Sequence, residues 1–187
     1  MKNWEKSTFK LIFLMVAVLL MVMPFFTTFN DLLTRLVEKV GFYRAIQNFV
    51  VPYEIRMIAV ILNAFQIKNI ASSAGLSMLK EGNWREIYIS WNCVGWQSFI
   101  LYLITLIVGL SGSYKASSKI EAVVIGLFGT FLVNILRLSL VYLFFYYTGY
   151  QIGILIFHDY ISNLLIIAWL FAFWWFSYAF VLRGKTK

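Results

Sequence analysis

The sequence predicts an all-α integral membrane protein: a helical bundle of about four to six transmembrane helices, with a short extracytoplasmic β-hairpin before a helix that starts at Cys93. Of the 187 residues, 61% are hydrophobic and only 13% are charged, and the mean hydropathy is +0.80. Soluble domains are about 45–50% apolar and about 25% charged. Several apolar runs also approach the roughly 20 residues that a membrane-spanning helix needs. We therefore expect residues 1–187 to form a single membrane domain.

The net charge of +8 would suggest a nucleic-acid partner if the protein were soluble. Here the Lys and Arg residues lie mostly beside or between apolar runs, where they set membrane orientation and meet anionic headgroups. Membrane lipids are therefore expected partners, and no nucleic acid is expected. The single cysteine, Cys93, cannot form an intrachain disulfide, and no metal or other cofactor is expected.

The N-terminal third contains one clear span and one segment of uncertain path. Residues 9–29 are interpreted as an uncleaved first span, because their apolar run is long and is followed by no small residues suited to cleavage; a cleaved signal peptide is the competing interpretation. Within residues 30–67, the apolar side chains of 30–44 recur at helical spacing, which is typical of an amphipathic surface helix. Residues 50–67 are apolar but contain Glu54 and Arg56, so this segment crosses the membrane, re-enters it or lies in its interface.

A polar stretch, residues 68–92, separates the uncertain segment from the clearer spans. Glu81-Gly82-Asn83 is a turn signal, and the residues from Arg85 to Ser90 partly alternate between polar and apolar side chains. This pattern predicts a short β-hairpin at the membrane surface.

Residues 93–183 contain three spans and form the core of the predicted bundle. The first two are Cys93–Leu110 and Ile120–Tyr147, joined by the polar loop Ser111–Lys119. The third runs from about Ile154 or His158 to Leu182. Each of these apolar runs is long enough to cross the hydrocarbon layer as a helix.

Three basic patches indicate the orientation: the N-terminal lysines, Lys115 with Lys119, and the tail that begins at Arg183. Cytoplasmic flanks are rich in Lys and Arg, so we expect a multi-pass protein of the cell membrane with both termini cytoplasmic. The chain between the first span and Asn92 must then begin and end outside. That requirement conflicts with a single crossing by residues 50–67, and the sequence leaves the conflict open.

Three polar side chains on different predicted spans fall at a similar depth. At about 1.5 Å per residue, Cys93 lies about 26 Å, Arg137 about 27 Å and His158 about 36 Å from the cytoplasmic ends of their spans. The hydrocarbon core is about 30 Å thick, so all three lie near its outer boundary. An Arg within a span usually faces a protein interior and serves a function, with snorkelling to the headgroups as the alternative.

Together these three side chains suit acyl transfer through a thioester. A thiolate is the nucleophile, and a neighbouring cation favours the thiolate over the thiol. A His takes the thiol proton and later delivers it to a leaving amine, while an Arg stabilises the thiolate or an oxyanion. Taken singly, a Cys in an apolar helix is usually a small hydrophobe, and a His at a helix start is often an interfacial residue.

The surrounding residues resemble the motifs of the exosortase/archaeosortase family over roughly residues 59–183. Trp91-Asn92-Cys93-Val94-Gly95 resembles its Cys-x-Gly segment, although Ser is frequent where this chain has Val94. Asn134-Ile135-Leu136-Arg137 resembles its Asn-x-x-Arg motif. His158 opens the next predicted span, where the family places its His. The chain is shorter than members with eight spans, so we expect its N-terminal spans to be reduced relative to theirs.

The resemblance implies a membrane cysteine protease or transpeptidase. Carried over by position, Cys93 is the nucleophile, Arg137 stabilises charge and His158 is the acid/base. Asn134 lies one helical turn before Arg137 and is expected to orient it or bind substrate, with helix packing as an equal alternative. Trp91 and Gly95 flank the nucleophile and are further candidates for binding or orienting substrate.

The favoured function is cleavage, on the extracytoplasmic face, of exported proteins with a C-terminal sorting signal, a transmembrane segment and a basic tail. The acyl group then passes to an amine, for example of a lipid, or to water. A non-enzymatic membrane scaffold or accessory subunit is the main alternative, in which Cys93, Arg137 and His158 serve packing and topology. A small transporter is weaker, because the clear spans offer few polar residues for a substrate pathway.

Overall fold

The computed structural model describes Thr28, residues 31–148 and residues 162–184. The described residues are mostly helical, and four of their helices are long and apolar enough to cross a membrane. The chain divides into two compact units, Met1–Phe42 and Tyr43–Lys187. The predicted first span, apart from Thr28, lies outside the described residues.

The first unit contains a helix over residues 31–40. The helix ends in a Schellman motif, in which the Phe42 amide donates to the Val37 carbonyl at 3.2 Å and the Gly41 amide donates to the Glu38 carbonyl at 3.0 Å. Gly41 has a φ of 76°, a conformation that glycine adopts without strain. The predicted C-terminal end of the helix over residues 30–44 is therefore wrong, because the helix ends at residue 40 and the chain turns at Gly41.

Helix α1, Tyr43–Ala64, opens the second unit. Its residues Ile46–Val50 form a π-helical turn that ends two residues before Pro52, which lacks the amide hydrogen for a regular backbone bond. The sequence left three paths open for residues 50–67. In the structure residues 50–64 belong to a 22-residue helix that is long and apolar enough to span, and that begins earlier than the sequence indicated.

A small antiparallel sheet follows α1, with the strand order β1-β2-β3. Its strands are β1 (Asn69–Ala71), β2 (Gly75–Lys80) and β3 (Asn83–Tyr88). The predicted hairpin corresponds to β2 and β3, joined by Glu81 and Gly82 with φ values of 52° and 80°. Two positive φ values in a two-residue loop are typical of a type I′ turn. The prediction of a simple hairpin is incomplete, because β1 pairs with β2 as a third strand.

The described part of the second unit contains three more helices: α2 (Trp96–Gly109), α3 (Ala116–Thr148) and α4 (Ser162–Phe176), which continues as a π-helical segment, Ser177–Val181. Helix α3 contacts α1, α2 and α4 and so lies at the centre of these four helices. It begins at Ala116, because the end of the predicted loop Ser111–Lys119 is already helical.

The sheet and the α2–α3 loop lie at opposite ends of the bundle. The sheet contacts the C-terminal end of α3, where the Lys80 ammonium donates to the Tyr147 carbonyl at 3.2 Å. At the other end, the Lys115 amide donates to the Arg183 carbonyl at 3.0 Å. Lys115 and Arg183, which belong to two of the three basic patches, therefore lie at the end of the bundle that is distant from the sheet.

Large side chains from α2 and α4 fill the half of the bundle near the α2–α3 loop. The buried cluster consists of Tyr102, Leu106, Ile166, Leu170 and Phe173. Many other apolar side chains on these helices point outward, such as Ile107 at 77% exposure. Such an apolar surface is what a lipid-facing bundle presents.

Candidate active site

Cys93 lies in a short turn between the sheet and α2. Residues Trp91–Val94 form a single 3-10 turn, and the Cys93 amide donates to the Ser90 carbonyl at 2.8 Å. Cys93 belongs to the candidate span Trp91–Gly109, in agreement with the predicted span, but it lies in the 3-10 turn of that span, and the regular α-helix α2 begins at Trp96. Cys93 itself is half-buried.

Gly95 joins the Cys93 turn to α2 and has a left-handed φ of 76°. It also lies against Asn134 of α3, since a Cβ atom at this position would fall 2.6 Å from Asn134 Cγ. Glycine therefore satisfies both a backbone and a packing requirement here.

Arg137 reaches the Cys93 turn from the middle of α3. Its Nη2 donates to the Cys93 carbonyl oxygen at 2.7 Å, and its side chain is only 7% exposed. The guanidinium also interacts electrostatically with the Cys93 side chain. The structure thus brings together two of the three side chains that the sequence placed at one depth. Their catalytic roles stay predictions.

Asn134 lies one helical turn before Arg137 and holds the next carbonyl of the Cys93 turn. Its Nδ2 donates to the Val94 carbonyl at 2.8 Å and to Glu54 Oε1 at 3.1 Å. Both partners are acceptors, so they fix which side of the carboxamide carries the nitrogen. Asn134 Oδ1 is buried without a hydrogen-bond partner. The structure shows no hydrogen bond between Asn134 and Arg137, so the prediction that Asn134 orients Arg137 stays a prediction. Asn134 does contact the Cys93 turn, through the Val94 carbonyl.

Side chains also donate to backbone carbonyls between the sheet and the Cys93 turn. Tyr142, further along α3, donates from its hydroxyl to the Ile87 carbonyl at 3.0 Å. Gln47 of α1 donates to the Ile89 carbonyl at 3.3 Å. Residues 87–94, which we call the Cys93 segment, are therefore held by side chains that donate to four of their carbonyls. Except for the Ile87 carbonyl, which lies in β3, these carbonyls are outside the sheet, and such carbonyls need partners when water is scarce.

Glu54 is the residue of this site that the sequence analysis did not assign. It is 1% exposed, although it lies on the predominantly apolar helix α1. Besides accepting from Asn134, it interacts electrostatically with Arg137, and its Oε2 is buried without a partner. The available signal was an acidic residue inside a long apolar run, which by itself indicates a functional site. Arg56, in the same run, is exposed.

Trp91 is part of an aromatic cluster at the edge of the site. Its ring stacks on Trp96 with centroids 5.9 Å apart and lies tilted at 6.0 Å from Tyr43. Its role in substrate binding stays a prediction. His158, the predicted acid/base, lies outside the described residues. Within the described ranges, no cluster of three His, Cys, Asp or Glu side chains is arranged to hold a metal ion.

No protein-family model, curated protein or solved structure matches this chain. A proposed function therefore depends on the geometry of the Cys93 site and on the motif resemblance.

Proposed function

We propose that this chain is a membrane cysteine peptidase or transpeptidase similar to exosortases and archaeosortases. The observation that supports the proposal most strongly is the 2.7 Å contact between Arg137 and the Cys93 carbonyl, across 44 residues of sequence. The resemblance assigns the nucleophile and the charge-stabilising Arg to these two positions. A cation beside the nucleophile is what thioester chemistry requires.

In the proposed reaction, His158 takes the Cys93 proton and the thiolate attacks the carbonyl carbon of the scissile peptide bond. The C–N bond breaks, His158 delivers its proton to the leaving amine, and a thioester joins the substrate to Sγ. An incoming amine or water then attacks the thioester, gives a proton to His158 and releases the thiolate. Arg137 stabilises negative charge on the thiolate or on each tetrahedral intermediate.

The proposed substrates are exported proteins with a C-terminal sorting signal, a transmembrane segment and a basic tail. Lys115 and Arg183 lie at the end of the bundle opposite the sheet and the Cys93 turn. Because cytoplasmic flanks are rich in Lys and Arg, we assign that end to the cytoplasm and the Cys93 turn to the extracytoplasmic face of the cell membrane. Cleavage there separates the exported protein from its membrane anchor.

The test is mass spectrometry of the C-termini of exported proteins in cells that carry either the native chain or Cys93→Ala. We expect a set of proteins to keep the hydrophobic C-terminal tail only with the variant. A matched control is Cys93→Ala combined with Ser111→Cys, which restores one thiol in the α2–α3 loop. We expect this double variant to be as inactive as Cys93→Ala, because the thiol is distant from Arg137.

The opposite result is equally informative. Identical C-termini in both strains, with the variant present at native abundance, would mean that Cys93 serves packing only. The chain would then be a non-enzymatic scaffold or accessory subunit. The native C-termini, where they differ, also identify the cleaved motif and the acceptor.

A further inference from the structure

Glu54 occupies a position where an apolar side chain would be expected. Its neighbours on the same face of α1, Ile55, Ile58 and Leu62, are fully buried. A buried ionisable group is costly unless it is hydrogen-bonded, and a well-packed apolar residue of similar volume is often as stabilising or more so. Stability of the helix packing is therefore a poor explanation for a carboxyl group at this position.

The contacts of Glu54 lead to the Cys93 turn in two steps. Glu54 Oε1 accepts from Asn134 Nδ2 at 3.1 Å, and the same nitrogen donates to the Val94 carbonyl at 2.8 Å. Glu54 thus fixes the rotation of the carboxamide that holds the turn. Val94 follows Cys93 directly, so the rotation of Asn134 affects the backbone that presents the thiol.

Arg137 gives a second reason for the position of Glu54. The carboxyl and the guanidinium attract each other electrostatically, and both side chains are buried. Arg137 holds the Cys93 carbonyl while Asn134 holds the Val94 carbonyl, so α3 contacts two successive peptide groups of the turn. The carboxyl of α1 interacts with both of these α3 side chains.

We infer that Glu54 is a positioning residue: through Asn134 it fixes the Cys93 turn in the conformation that presents the thiol. The catalytic consequence rests on the proposed function, whereas the effect on the turn does not. In this role Glu54 takes no part in bond making. The effect of Glu54 on the turn depends on whether its carboxyl oxygen reaches Asn134 Nδ2. The charge of the carboxyl contributes less to this effect.

Two conservative variants separate reach from charge. Glu54→Gln keeps an acceptor oxygen at the same distance and removes the charge, whereas Glu54→Asp keeps the charge and shortens the side chain by one methylene. Hydrogen–deuterium exchange of the full-length protein in nanodiscs, measured on the peptide that contains residues 90–97, reports how firmly the turn is held. We expect exchange to rise at least tenfold in Glu54→Asp and less than about threefold in Glu54→Gln.

A double-mutant cycle tests the route through Asn134. We expect Asn134→Leu to accelerate exchange as much as Glu54→Asp, and the double variant to be no faster than Asn134→Leu alone, because both changes break one chain of contacts. Ile58→Ala is the control for general destabilisation, since Ile58 is equally buried one turn further along α1 and is not part of this chain of contacts. It should not raise exchange at residues 90–97 above the rest of the bundle.

Three results would overturn the inference: native exchange in Glu54→Asp, a larger effect of Glu54→Gln than of Glu54→Asp, or additive effects of the Glu54 and Asn134 substitutions. Processing of exported C-termini is scored in the same variants. If exchange follows the expected order but the native chain processes nothing, the proposed function fails and the positioning role stands. If the native chain processes substrate and exchange does not follow the order, only the positioning role fails.

Discussion

The two halves of the second unit differ in what their side chains contact: aromatic rings pack on glycines in one half, and polar side chains hold one irregular segment in the other. In the half near the α2–α3 loop, aromatic rings lie directly over glycines. A Cβ on Gly126 would fall 2.5 Å from Tyr102 Cζ, and a Cβ on Gly129 would meet the ring of Trp169. Small residues that let bulky neighbours approach the backbone are the usual means of packing helices in a membrane.

In the half that contains the Cys93 turn, side chains of α1 and α3 donate to the carbonyls of one short segment, whereas the Tyr102 hydroxyl of the other half donates to the Val123 carbonyl of a regular helix at 3.0 Å. Asn134, Arg137 and Tyr142 all reach the Cys93 segment from one helix. The difference follows from the backbone, because a segment that leaves a strand, forms one 3-10 turn and enters a helix has carbonyls without regular partners. The polar residues of this half are therefore required by the irregular backbone that presents Cys93.

Removal of the Arg137 side chain should have the largest effect. Arg137→Leu leaves the Cys93 carbonyl without its charged donor. Loss of a hydrogen bond from a charged group costs about 1.5–3 kcal/mol of unfolding free energy. Reversible denaturation in detergent micelles measures the loss, with Leu136→Ala, at a half-exposed neighbouring position, as control. A loss below about 1 kcal/mol would show that the two halves do not differ as described.

The glycine contacts of the other half should respond to added volume. In Gly126→Ala the new methyl group overlaps the Tyr102 ring, and overpacking of this kind costs about 1–3 kcal/mol. The same denaturation experiment checks this, with Val124→Ala as the control on an exposed face of α3. Processing of exported proteins should persist at temperatures where the variant is folded. Loss of processing in fully folded protein would instead couple this half to the site.

Loss of a single hydrogen bond to the Cys93 segment should have a smaller effect. Tyr142→Phe removes the donor to the Ile87 carbonyl and is expected to cost about 1 kcal/mol. Hydrogen–deuterium exchange should rise in the peptide that contains Ile87, while the Tyr102 region keeps its native protection. Tyr147→Phe is the matched control, because Tyr147 is 66% exposed. Equal effects of both substitutions would contradict a specific role for Tyr142.

The two halves also differ in how far the sequence predicted them. Apolar run lengths predicted α2, α3 and α4 but left the path of α1 open, and the turn signal at Glu81 and Gly82 predicted the β2–β3 hairpin. Rise per residue, combined with basic flanks, predicted that Cys93 and Arg137 lie at one depth, and the structure brings them into contact. These predictions need only the local residue pattern, which a single sequence contains, and the known thickness of a bilayer.

The missed features depend on contacts between distant segments. Nothing in Asn69–Ala71 indicates that β1 pairs with β2, and the 3-10 turn at Cys93 depends on Gly95 packing against Asn134. Glu54 was visible as an acid in an apolar run, but its partner lies 80 residues away on another helix. Hydrophobic periodicity reports local secondary structure. It does not indicate which distant residue a single side chain contacts, so the role of Glu54 could not be predicted from it.

The smallest effect is expected on the exposed face of β3, where neither type of contact operates. The Tyr88 hydroxyl donates to Glu86 Oε2 at 3.0 Å, and this hydrogen bond raises the pKa of Tyr88 above its ordinary value. The negative charge of Glu86 acts in the same direction, since both favour the protonated phenol. Glu86→Gln should therefore lower the pKa of Tyr88 and leave stability unchanged, because exposed charged pairs contribute little. An absorbance titration read as the difference from the Tyr88→Phe variant isolates this phenol, and an unchanged midpoint would show that the Glu86 contact does not persist in solution.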